Sequence, residues 1–108
     1  MTATYVGDIV SVPPGSMKAF DVGGNKILVA NIDGKFYAMN RICTHRGGDL
    51  SEGILEGKIV TCPRHHSRFD VTTGEAVSGP VIGFLKLRTK DEQVYPVNVE
   101  GGRILVDI

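Results

Sequence analysis

Both cysteines and all three histidines of the chain lie between residues 41 and 70. They form two short clusters, Cys43-Thr44-His45 and Cys62-Pro63-Arg64-His65, with sixteen residues between His45 and Cys62. Side chains two apart in an extended segment point the same way, so Cys43 and His45 can face one object while Thr44 faces away. A tight turn does the same for Cys62 and His65. Two thiolates and two imidazoles suit zinc or iron, and the spacing alone leaves the metal undecided. One disulfide is the competing use of two cysteines, but small secreted domains carry several, and here each cysteine has a histidine close by.

The elements that must hold these clusters are short. Asp33-Gly34 separates two strand-like runs, 26–32 and 35–40, and both turn positions tolerate the left-handed geometry of a tight hairpin. The second run leads straight into Cys43, so a rigid strand supports the first cluster. Ile54-Leu55 and residues 58–61 form a second candidate hairpin that delivers Cys62. Residues 5–10, 17–22, 69–71, 84–89, 93–99 and 103–107 read as further strands, set apart by Pro13-Pro14-Gly15, Gly23-Gly24, Thr72-Thr73-Gly74, Ser78-Gly79-Pro80 and Gly101-Gly102. No window has helical period, and the fourteen glycines argue against a long helix. The expected class is all-β.

At 108 residues, 42% hydrophobic and 22% charged, the chain is expected to be one globular domain. Twelve basic and twelve acidic residues cancel, which removes the general electrostatic case for nucleic acid or an anionic membrane. No apolar run approaches the roughly 20 residues of a membrane span, and the first residues lack the form of a signal peptide. A cytoplasmic location is expected.

The wording around the clusters is more specific than their spacing. C-T-H-x-G-G-D-L, then C-P-x-H followed by S-R-F-D, resembles the Rieske iron-sulfur family, and the hairpin with F-Y-A, the Thr72–Gly74 turn and Y-P-V-N-V-E-G-G-R extend the likeness over most of the chain. The resemblance implies a single Rieske domain over 1–108. Short antiparallel strands would form a sandwich or partial-barrel base, with a two-loop cluster-binding subdomain inserted at 41–80. It implies a 2Fe-2S cluster, with Cys43 and Cys62 on one iron and His45 and His65 on the other. Pro80 would stand in a loop covering the cluster, and Ser67 would offer a hydroxyl to a sulfide. Gly48 and Arg64 stand where the respiratory branch has a disulfide bracing the loops, and Phe69 stands where that branch has a tyrosine. A low-to-middle potential is therefore expected within the family range of roughly −150 to +300 mV.

The implied function is a one-electron carrier between a reductase and a terminal oxygenase or similar oxidoreductase, without catalysis or a small-molecule substrate of its own. Two other readings are a Rieske-like small subunit of a larger, nitrite reductase-like enzyme and a zinc-stabilised interaction module. Around the clusters, His66 reads as an exposed loop residue. Arg46, Arg64 and Arg68 read either as solvated surface charge or as a local basic rim, and Leu50, Ile54 and Val81 either pack the loops or form an apolar tip.

Overall fold

The computed structural model describes residues 3–44, 47–64, 66–78, 81–82, 85–86 and 90–108, the residues at 81–82 and 85–86 by backbone alone. Its strands are β1 (Ala3–Asp8), β2 (Met17–Val22), β3 (Asn25–Ile32), β4 (Lys35–Asn40), β5 (Ile54–Glu56), β6 (Ile59–Thr61), β7 (Arg68–Asp70), β8 (Ala76–Ser78), β9 (Val81–Ile82), β10 (Leu85–Lys86), β11 (Val94–Tyr95), β12 (Val97–Glu100) and β13 (Arg103–Asp107). Among the described residues helical structure is limited to two three-residue 3-10 turns, Ile9–Ser11 and Leu50–Glu52. No helix among them is long and apolar enough to cross a membrane. The all-β expectation is met.

The strands form antiparallel sheets ordered β1-β13-β12, β11-β4-β3-β2 and β5-β6-β7-β8, with β9 and β10 as a separate pair. The middle strand β3 explains how they stack. Its run Ile27-Leu28-Val29-Ala30 is fully buried, as expected of a strand covered on both faces. Leu28 and Ala30, with Met39 of β4, share a core with Val60, Phe69 and both cysteines. Ile27 and Val29, with Ala38 of β4, face Ile104 and Val106 of β13. One sheet therefore has the cluster-bearing sheet on one side and the terminal sheet on the other. At about 25 cal/mol per Å² of apolar area, each buried Leu, Ile, Val, Met or Phe among them contributes roughly 1.5–3 kcal/mol.

The β3–β4 hairpin turns at Asp33 and Gly34 with φ of 54° and 89°, as its sequence demands. Asn31 holds that corner from below, donating to the Val12 carbonyl at 2.8 Å and accepting the Gly34 amide at 2.8 Å.

Two expected runs are divided. Residues 93–99 form two strands in different sheets, β11 beside β4 and β12 beside β13. Pro96 stands at the change-over, where a residue lacking an N–H interrupts a ladder at least cost. The first run ends at Asp8, and its last residues form the 3-10 turn. The expected strand 84–89 falls mostly outside the described residues, with β10 inside it.

Candidate metal centre

Cys43 follows β4 and Cys62 follows β6, and the two loops that carry them are built alike. The Cys43 amide donates to the Gly48 carbonyl at 2.7 Å, and the Cys62 amide to the Ser67 carbonyl at 2.8 Å. Four residues after each cysteine an amide returns to the cysteine carbonyl, from Gly47 at 3.1 Å and from His66 at 3.1 Å. Those two residues have left-handed φ, 72° at Gly47 and 64° at His66. Just outside each loop a bridging pair closes it, Ile42 with Asp49 and Thr61 with Arg68. The same hydrogen-bonded ring thus occurs twice, once per cluster. The signal in the sequence was faint, because only one of the two left-handed positions is glycine.

The loops meet tightly. A Cβ on Gly48 would lie 2.8 Å from the Cys62 sulfur and 2.9 Å from Cγ of Arg64, so any side chain at Gly48 would push the loops apart. Both cysteines are buried and unbridged, which sets aside the disulfide. Ser67 is also buried, and its hydroxyl finds no hydrogen-bond partner among the described residues. A buried unpaired hydroxyl is costly unless something outside the protein accepts from it. Two buried thiols and one unpaired donor fit a sulfur-rich group seated between the loops. His45 and His65, the other two expected ligands, lie outside the described residues, as do Pro80 and Arg46.

Of the remaining expected residues, His66, Arg64 and Arg68 are exposed. Leu50 is fully buried in the core with the cysteines, whereas Ile54 is 62% exposed, so the apolar tip divides into one packing and one surface residue. The side chain of Val81 is outside the described set.

Two charged residues near the loops were not singled out in the sequence. Arg41 is buried, with its guanidinium 3.1 Å from Asp21 and 3.5 Å from Asp49. Its carbonyl accepts the Leu50 amide at 2.9 Å, so it anchors the root of the first loop. Glu92 is buried beneath the same loop, where one carboxylate oxygen accepts the Thr44 amide at 3.0 Å. Burial pushes its carboxyl up to about 7, against the opposing pull of that amide.

The family comparison is decisive: the Rieske [2Fe-2S] domain model matches residues 2–89. The chain belongs to the Rieske family. Its sequence is 35% identical, over all of this chain and 99% of the relative, to the ferredoxin component of the naphthalene 1,2-dioxygenase system of Pseudomonas aeruginosa. In structure this Rieske protein is similar to a ferredoxin of Sphingomonas yanoikuyae B1, with TM-score 0.87, 28% identity and 99% of each chain covered. It is also similar to a chain from a complex of reduced oxygenase and oxidized ferredoxin in carbazole 1,9a-dioxygenase, with TM-score 0.83, 32% identity, and 95% and 99% coverage. A Rieske domain implies a 2Fe-2S cluster, the group that the buried thiols and the Ser67 hydroxyl fit.

Proposed function

We propose that this Rieske protein is a soluble, cytoplasmic ferredoxin that takes one electron from a reductase and delivers it to a terminal oxygenase. The observation that carries this reading is the end-to-end match to a dioxygenase-system ferredoxin component, all of one chain against 99% of the other. The oxygenase–ferredoxin complex containing a similar chain supports the choice of acceptor.

Within the chain, Cys43 and Cys62 would hold one iron and His45 and His65 the other, the whole residing in a cluster-binding subdomain, 41–80, of a single domain, 1–108. When bound, the cluster supplies a reversible one-electron couple. The chain's own residues set its surroundings: the twin loop rings fix the cysteines, the core packed behind them keeps water out, and Ser67 offers a hydrogen bond. Pro80 would cover the cluster. The absence of a disulfide between Gly48 and Arg64, and Phe69 in place of a tyrosine, favour a low-to-middle potential.

Electron paramagnetic resonance of the dithionite-reduced protein tests this. A Rieske-type signal, one electron taken up per chain and its transfer to a Rieske oxygenase are expected, with the signal lost in Cys43→Ser and Cys62→Ser. Stoichiometric zinc without visible absorption would overturn the reading. A midpoint above about +200 mV, near the top of the family range, would overturn the potential.

A further inference from the structure

Residues 90–93 cross the molecule as a strap between the first ligand loop and the cluster-bearing sheet. The Lys90 carbonyl accepts the Thr44 hydroxyl at 2.7 Å, and Asp91 accepts the Ala76 amide at 2.8 Å. The Glu92 amide donates to Gly74 at 2.7 Å, and the Gln93 carbonyl accepts the Asn40 amide at 2.8 Å. A Cβ on Gly74 would overlap the Glu92 carbonyl oxygen, so glycine is what lets the strap lie this close. Glu92 is its innermost residue. One oxygen of its buried carboxylate takes the amide that directly follows Cys43, and the other has no hydrogen-bond partner among the described residues.

A glutamine carbonyl could also accept the Thr44 amide, though less strongly, and would be cheaper to bury than a carboxylate that has no cation beside it among the described residues. What glutamate adds is charge. A negative charge fixed next to a redox group in a low-dielectric setting disfavours its reduction. We propose that Glu92 is a positioning residue for the first ligand loop and that its carboxylate lowers the potential of the cluster held there.

This inference rests on Cys43-Thr44-His45 being a ligand loop, and the wild-type resonance spectrum tests that point separately. The experiment is a redox titration of cluster-bound wild type, Glu92→Gln and Asp91→Asn at about pH 8, above the range to which burial lifts the Glu92 carboxyl. Glu92→Gln keeps the acceptor and removes the charge. It is expected to leave the wild-type spectrum intact and to favour reduction at least threefold, which is about 28 mV upward at 59 mV per tenfold for one electron. Asp91→Asn, a charge removed from the exposed part of the same strap, is expected to shift the couple by less than that. A Glu92→Gln shift below threefold, or an equal shift in Asp91→Asn, would overturn the electrostatic role.

Positioning is read by hydrogen exchange in the peptide containing Thr44. Glu92→Ala is expected to speed it at least tenfold while Glu92→Gln leaves it protected. Unchanged exchange in Glu92→Ala would overturn that half. If Glu92→Ala fails to assemble, Glu92→Asp takes its place, since a side chain one methylene shorter withdraws the acceptor from the amide.

Discussion

Ser67 and the pair Gly47 and His66 are small features whose energetics differ in sign. The Ser67 hydroxyl is buried without a partner among the described residues, so Ser67→Ala should stabilise the chain prepared without its cluster by about 1 kcal/mol in urea unfolding. If Ser67 holds its proposed role, the same change in the loaded protein would remove a donor to the reduced, more negative cluster. The couple should then fall by a factor of two to ten, roughly 20–60 mV at 59 mV per tenfold. Opposite signs in the two forms distinguish a hydroxyl aimed at the cluster from one that is merely packed. Gly47 and His66 hold the same left-handed place in the two loops. Gly47→Ala should cost about 1 kcal/mol in the metal-free chain, because a Cβ is unfavourable there. His66→Gly should gain about 0.5 kcal/mol, the relief of left-handed strain being partly cancelled by the greater freedom of glycine in the unfolded chain. The cysteines could be picked out in sequence because few side chains bind soft metals, and the structure adds that both are buried in one core. Glu92 was not, since its role depends on meeting Thr44 across 48 residues of chain.

Among the elements, legibility followed how local the governing physics is. The Asp33-Gly34 hairpin is dictated by two adjacent residues and was readable, register aside. The division of 93–99 at Pro96 was hidden because the run keeps its apolar residues on both sides of the proline, and only the presence of two different partner strands separates β11 from β12. Arg41 was hidden for a similar reason. Nothing beside it in sequence says that Asp21, on β2, comes within 3.1 Å. Both carboxylates remain partly in water, at 64% and 32% exposure, so losing their partner does not strand a buried anion. Arg41→Ala should therefore cost about 1–2 kcal/mol, mostly in lost packing and one charge-assisted hydrogen bond. Gly74→Ala should cost more, upwards of about 2 kcal/mol, because it drives the strap away from the turn at a left-handed position. Urea unfolding of the two variants checks the order.

For the molecule as a whole, two buried carboxyls bend stability with pH in opposite directions. Burial by itself would raise Asp70, but the Thr72 hydroxyl and amide, with Lys58 beside it, bring its carboxyl below the ordinary 3.8. The folded chain releases that proton more readily than the unfolded one, so this contribution is present above pH 3.8 and is lost as pH falls through the folded value. Glu92 is the reverse, raised by burial from 4.5 to about 7. Between those values the folded chain keeps a proton that the unfolded chain has given up, so stability falls as pH rises through the window and is level above it. Glu92→Gln removes that fall. The unfolding free energy of the metal-free variant should match wild type near pH 4.5 and exceed it by an amount that grows up to about pH 7, on the order of 2 kcal/mol. Urea titrations of both proteins at a series of pH values check this, and a difference that stays constant across the window would show that the Glu92 carboxyl titrates normally. With that outcome burial would cost the carboxylate little, and the preference for glutamate over glutamine beneath Thr44 would need a different cause.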